Sequence, residues 1–459
     1  MAIYLLIITI FIIVVARFFR QDSKFNLIVF LFTYIFVFGL LELSSLPNIA
    51  IKTFIDVLFL FVLFNLFRVN VSISNTLGLF IIFTLSIIFS LFINQSDIYH
   101  SLTFLRIYLF SYIIFLFFYN TNLSDKKWFI FNKVVVFLFL LQIIASIYKF
   151  FFIGITEKEL IGTIDTTGGA YSTTLPIFAI SFIISFFLVE GRRIKYVLLI
   201  FCFLFMGFVG AKRAIWFYTP ILFILAWYLY TRVTISKINS SKNLTILILL
   251  LLVASGIFIF AGKYSRTLNP ENRIGGEFNP EYIKDYTIEY TFSESQSGQV
   301  SIGRGANFIR IIKKISNAPP LNLLFGFGPD AVKGSSTYGE GIWGEFGING
   351  PVTGFSANLV QIGLIGSFFV ILVLSLGFKT FFKLAKTESS PYWKSIALGG
   401  SVSSLMIIID YFTYSSSFFN TVFALSFTYF YLLGMMLNRQ RIKKYMFENK
   451  ITTIIPSAI

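Results

Sequence analysis

The stretch IYLLIITIFIIVVA, residues 3 to 16, decides the fold class, because its apolar side chains follow one another without the alternation a membrane β-strand requires. In lipid a backbone must satisfy its own hydrogen bonds, which leaves the helix and the closed barrel, and this stretch reads as helix. Runs of about 18 to 22 apolar residues recur along most of the chain, each long enough to cross a hydrocarbon core of about 30 Å. Of 459 residues, 56% are hydrophobic, 19% aromatic and only 13% charged, and the mean hydropathy is +0.82. Such values exclude an ordinary soluble domain. The expected fold is an all-α polytopic membrane protein with about thirteen transmembrane helices.

The spans are expected near 1–19, 25–44, 50–67, 74–94, 102–119, 128–152, 171–189, 194–210, 213–230, 244–262, 356–377, 393–413 and 418–437. The chain thus divides into N-terminal helices (1–262), one large loop (263–355), and C-terminal helices with a basic tail (356–459). The loop carries its own apolar and aromatic positions and is expected to fold. Apolar from the start, the N-terminus meets its first cations at Arg17 and Arg20, which reads as a retained first helix and not a cleaved leader. Cys202 is the single cysteine and falls inside an expected span, so neither a disulfide framework nor a thiolate metal site is available.

Charge orients the set. With the N-terminus outside, the cytoplasmic segments hold 21 of the Lys and Arg residues against five acids (Asp22, Asp125, Glu190, Glu388, Glu448), a net +16 equal to the formal charge of the whole chain. The large loop balances nine cations against nine acids. That loop is therefore expected outside the cell and the C-terminus inside. The basic balance needs no nucleic acid to explain it, since topology already accounts for these cations.

Lys212 and Arg213, in GFVGAKRAIWFYTP (207–220), break the rule by standing at an outer turn. One reading is that both side chains snorkel to headgroups. The other is an anion site at the membrane surface, where two adjacent cations grip phosphate. A second cationic site lies in SIGRGANFIRIIKKISNAPP (301–320), where Phe308, Ile311, Ile312 and Ile315 recur at helical spacing and Arg310, Lys313 and Lys314 take other faces. Arg304 then stands at a helix N-terminus, whose free N–H groups and dipole favour an anion; the plain alternative is a surface turn before a solvated helix.

LLFGFGPDAVKG (323–334) has Gly326, Gly328 and Pro329 to force a tight turn beside Asp330, but it lacks the lysine spacing of a phosphate loop. STYGEGIWGEFGINGPVTGFSANL (336–359) sets Glu340 and Glu345 among the aromatics Tyr338, Trp343 and Phe346, a mixture that suits sugar rings and also suits a loop packing on itself. Glu345 and Glu340 are the candidate bases for a hydroxyl, with Asp330 behind them. Glu42, Asp56, Arg106, Lys133 and Asp410 fall within expected spans, where ionisable groups usually pair. Arg106 and Asp410 both fall toward the outer side, either lining one cavity or forming a structural pair.

GAKRAIW after one span, GR opening a loop helix, LFGFGPD after it and ANLVQIGLIG entering the next span, in this order around one large outer loop, resemble the O-antigen polymerase and O-antigen ligase superfamily of bacterial envelopes. The resemblance covers roughly residues 194–377. It implies a glycosyltransferase of the bacterial plasma (inner) membrane, acting at the extracytoplasmic face on undecaprenyl pyrophosphate-linked oligosaccharide as donor and acceptor, with a chain-length regulator protein as a partner. By motif match Arg213 and Arg304 hold the pyrophosphate. Lys212, Arg310, Asp330, Tyr338, Trp343 and Arg106 are the candidate substrate contacts. No cofactor is implied, and with no Asp-x-Asp motif in the sequence the fixed cations would do what a metal does elsewhere. Ligases of the superfamily carry a late loop histidine as presumed base, whereas the single histidine here is His100, in a different short outer loop. That departure favours a polymerase over a ligase. The remaining rival, a lipid-linked oligosaccharide flippase or transporter, is expected to show repeated halves and short outer loops.

Overall fold

The computed structural model describes residues 23–42, 48–67, 75–154, 161–164, 171–191, 193–210, 214–234, 269–271, 273, 275–292, 303–329, 331–332, 345–348, 352–414, 418–419 and 423–454, with isolated helical positions between 245 and 259. Every regular element among them is helical: α1 (Ser23–Phe36), α2 (Phe38–Glu42), α3 (Asn48–Phe67), α4 (Asn75–Asn94), α5 (Ile98–Asn120), α6 (Asp125–Tyr148), α7 (Tyr171–Glu190), α8 (Ile194–Val209), α9 (Ala214–Val233), α10 (Pro280–Phe292), α11 (Arg304–Ser316), α12 (Pro320–Phe325), α13 (Gly354–Thr387), α14 (Pro391–Thr413) and α15 (Ala424–Ile454). A π-helical turn, Lys149–Ile153, extends α6. Among the described residues six stretches are long and apolar enough to cross a membrane: Ala50–Phe67, Ser101–Asn120, Asp125–Ile153, Tyr171–Glu190, Gly354–Thr387 and Pro391–Thr413. Lys24–Phe36, Leu79–Asn94 and Ile194–Gly207 are shorter apolar helices. The expected span 1–19 and most of 244–262 lie outside the described residues.

Burial ranks the helices. Inside the bundle lie 78% of the α7 window and 72% of that of α14, against 28% for α6, so α7 and α14 form the centre. Small residues make this possible: a side chain at Gly399 would overlap Phe182 of α7, and one at Gly400 would overlap Phe381 of α13. Close backbone approach is how helices gain packing energy where lipid supplies no hydrophobic drive. Helix α13 runs ten residues past the expected end at 377, because Phe381 and Leu384 stay buried while Lys379, Lys383 and Lys386 reach outward. Hydropathy falls at those lysines, yet the helix continues.

Two short breaks depart from the simple spans. Helix α1 stops at Phe36, where Thr163 Oγ1 donates to Phe36 O (2.7 Å) and Gly39 N donates to Thr163 O (2.9 Å). Thr163 is held from α6 as well, its N–H donating to Gln142 Oε1 (2.6 Å). Residues 161–164, expected in an outer connection, therefore dip into the bundle, with Ile161 and Ile164 buried.

The second break is in α13. Gly363 adopts φ 65° and ψ −167°, leaving a loop-side half-helix from Gly354 whose start is fixed by the capping box of Thr353 and Ser356. Non-helical backbone at membrane depth is tolerated where protein covers it. Here the loop does so: Phe327 N donates to Val360 O (2.7 Å), Gly328 N to Gln361 O (3.2 Å), and Gln361 Nε2 returns a bond to Pro329 O (2.7 Å). Asn94 of α4 adds a bond to Gly326 O (3.1 Å). The Gly326 turn is thus a structural anchor. Ile311 and Ile315 of α11, with Ile348, Leu359 and Val360, build a second small core over it.

Candidate active site at the loop end of the bundle

Helix α9 begins at Ala214, the residue that follows Lys212 and Arg213 in the chain. Lys212 and Arg213 themselves lie outside the described residues, as do Asp330, Tyr338, Glu340 and Trp343. Both flanks of the cationic pair pack on the centre of the bundle. Before it, Gly210 lies against Ser172 in the buried hydroxyl-rich start of α7, Tyr171–Thr174. After it, Tyr218 is buried one turn into α9, its hydroxyl 2.7 Å from Thr413 Oγ1 and 3.3 Å from Asp410 Oδ1. Tyr218 donates to Asp410 Oδ1, and Thr413 Oγ1 lies 2.7 Å from both the Tyr218 hydroxyl and Ile409 O.

Arg304 arrives at the same place from the loop. Helix α11 opens at Arg304 with Gly303 as its cap, as the spacing predicts, and Asn307 N donates to Gly303 O (2.9 Å). Its guanidinium lies over the ring of Tyr414, 4.1 Å from the centroid. Tyr414 caps the end of α14, directly after Thr413. A continuous run of contacts, Arg304 to Tyr414, Thr413, then Tyr218, therefore joins the N-terminus of α11 to the first turn of α9. Phe308 packs toward Phe355, 6.2 Å between centroids, and Ile311 and Ile315 are buried, while Ile312 is exposed despite the helical spacing that grouped it with them.

Beneath this rim is a cavity of about 20 Å³ lined by Thr174, Tyr218, Ser403 and Asp410 among apolar side chains. One water fits in such a volume. Among the described residues Ser403 Oγ, at 1% exposure, has no hydrogen-bond partner. Deeper still, Asn358 Nδ2 donates to the hydroxyls of Tyr108 and Tyr411, both at 2.9 Å, tying the loop-side half of α13 to α5 and α14.

The other candidates are placed elsewhere. Arg310 Nη1 donates to Gly347 O (3.0 Å), about 9 Å along α11 from Arg304 at 1.5 Å per residue, where it holds the turn that carries Glu345. Glu345 is exposed, and its neighbour Phe346 packs edge-on against Phe327, 5.3 Å between centroids. Arg106 does not take Asp410 as its carboxylate: its Nε lies 2.7 Å from Asp56 Oδ1, and its guanidinium sits over Phe110 and Phe423 at 5.4 and 5.5 Å. Desolvation favours the near carboxylate on the adjoining helix α3, and the pairing is local. His100 falls in the first turn of α5.

The sequence reading did not single out Tyr218 or the Tyr171–Thr174 hydroxyls. Their signal was present, as polar groups at consecutive or helical spacing in otherwise apolar helices, but only packing shows that Tyr218 and Thr174 line one cavity with Asp410. Compared with known proteins, the chain matches no protein-family model and no curated protein.

Proposed function

We propose that this chain is a polysaccharide polymerase of the bacterial plasma membrane, of O-antigen or capsule type. It transfers a growing glycan from undecaprenyl pyrophosphate to the non-reducing sugar of a lipid-linked repeat at the outer face. The acceptor oxygen bonds to the anomeric carbon, the bond from that carbon to pyrophosphate breaks, and the electron pair leaves on the phosphate oxygen. Arg304, Arg213 and Lys212 neutralise that developing charge. A loop carboxylate, Glu345 or Glu340, takes the hydroxyl proton. Asp410 acts as a positioning residue: ionisable groups in a membrane bundle are costly and usually functional, and Asp410 accepts from Tyr218 on the helix whose start follows Lys212 and Arg213 in the chain.

The observation that carries the reading is the contact path from Arg304 through Tyr414 and Thr413 to Tyr218, which converges on the helix start that follows Lys212 and Arg213. A broken helix such as α13 also occurs in transporters, where the freed backbone groups coordinate cargo. Here Val360 O and Gln361 O are occupied by the loop turn, which supports a loop-anchoring role.

The test is Arg304→Ala and, separately, Arg213→Ala in a cell making the polymer. Single-repeat product with repeats still reaching the outer leaflet is expected. Repeats trapped on the cytoplasmic leaflet would overturn the reading in favour of a flippase.

A further inference from the structure

At the opposite, basic end of the bundle, an apolar crevice of about 240 Å³ opens between α6, α7 and α8, with α14 and α15 as its back wall. Phe182, Ile183, Leu199, Phe203 and Leu432 line it, and Val136 at its mouth is 55% exposed. Apolar cavities of about 150 Å³ already stay dry and accept an apolar guest, so this one is a seat for hydrocarbon.

The rim says which hydrocarbon. An aromatic chain crosses it: Phe129 to Tyr392 (5.4 Å between centroids), Tyr392 to Phe186 (5.6 Å), Phe186 to Tyr196 (6.0 Å). A lysine sits on each end of this chain. Lys133 Nζ lies 4.6 Å from the Phe129 centroid and Lys195 Nζ 4.7 Å from that of Tyr196. Carboxylates at this end are engaged elsewhere: Asp125 and Glu388 with Arg439 and Lys443, and Glu190 as acceptor for the Tyr196 hydroxyl (2.5 Å). Among the described residues neither Lys133 nor Lys195 has a carboxylate within ion-pair distance. Arg193 and Lys394 add positive charge nearby, at the starts of α8 and α14.

The geometry points to a resident anionic phospholipid, with one acyl chain in the crevice and its headgroup at the aromatic rim, attracted by Lys133 and Lys195 at the two ends of that rim. The aromatic rim lies at headgroup level, where such rings are favoured. Lysines at a membrane surface attract anionic lipid. This inference is independent of the polymerase reading and survives its failure.

Native mass spectrometry of the full chain, reconstituted with equal amounts of phosphatidylglycerol and acyl-matched phosphatidylcholine, tests it. Wild type is expected to retain phosphatidylglycerol selectively, and Lys133→Gln and Lys195→Gln to reduce that preference about fivefold each. Val136→Trp, at an exposed position that the fold tolerates, is expected to lower retention of both lipids by blocking the mouth. Lys379→Gln, on another helix, serves as control and leaves the preference unchanged. Equal retention of the two lipids by wild type, or selectivity untouched by both lysine variants, overturns the headgroup assignment. Retention unaffected by Val136→Trp overturns the crevice.

Discussion

Gly326 and Gly363 meet backbone to backbone, each at positive φ (77° and 65°), and a Cβ on either would overlap main-chain atoms of the other's segment. The contact locks the loop turn into the break of α13, and it explains why glycine stands in both the LFGFG and the QIG stretches. Gly363→Ala combines a backbone region nearly closed to other residues with a collision against Leu324 and Gly326. It is expected to cost roughly 2–4 kcal/mol. Gly347 also has positive φ (65°) but open space around it, so Gly347→Ala is expected to cost only about 1–2 kcal/mol. Thermal unfolding in detergent compares the two, and equal losses would show that strain alone matters.

Arg304 rests on Tyr414, and its planar guanidinium suits both that ring and a diphosphate. Arg304→Ala is expected to lower polymer output roughly a hundredfold or more. Arg304→Lys keeps the charge but not the fork, and should fall between the two. Arg310→Ala loses one bond to Gly347 O, worth about 0.5–1.5 kcal/mol, and should lower loop stability more than turnover. Glycan length on gels, with protein level as control, separates these outcomes.

Asp410 lies beneath the start of α9, in contact with Tyr218. Asp410→Asn is expected to leave the bundle folded and to reduce polymer output by about tenfold, through loss of the charge that positions the cations; each factor of ten is about 1.4 kcal/mol. Asp410→Glu should restore part of it. An Asp410→Asn protein with full output would remove the residue from the site.

The pair Arg106–Asp56 is internal to the membrane region and should behave as a unit. Removing either partner strands a charge, at about 3–5 kcal/mol if fully buried and less here because Asp56 is 39% exposed. Arg106→Leu with Asp56→Leu should be milder than either single change. A double-mutant cycle on thermal stability measures that coupling.

Arg439 joins the start of α6 to the turn after α13, with Nε 3.1 Å from Asp125 Oδ1 and Nη1 3.3 Å from Glu388 Oε2, over the Trp393 ring at 4.1 Å. Arg439→Ala should destabilise by about 1–3 kcal/mol, because the Glu388 side chain is only 8% exposed. Lys443→Ala should cost under about 1 kcal/mol, its side chain being 52% exposed. Unfolding across a salt series reads the difference, since screening weakens the exposed contact more.

Sequence by itself determined the helical membrane class, the positions of most described spans and the start of α11, because apolar run length and the 3.6-residue period are local properties of the chain. It also flagged Arg304, Asp410 and the glycine stretches as unusual. It did not reveal that Arg106 belongs to Asp56, that residues 161–164 enter the bundle at the break after Phe36, or that Gly326 exists to meet Gly363. Those pairings join positions tens to hundreds of residues apart, and what selects among charges and glycines of equal local merit is desolvation and close packing, which act only once the helices are assembled.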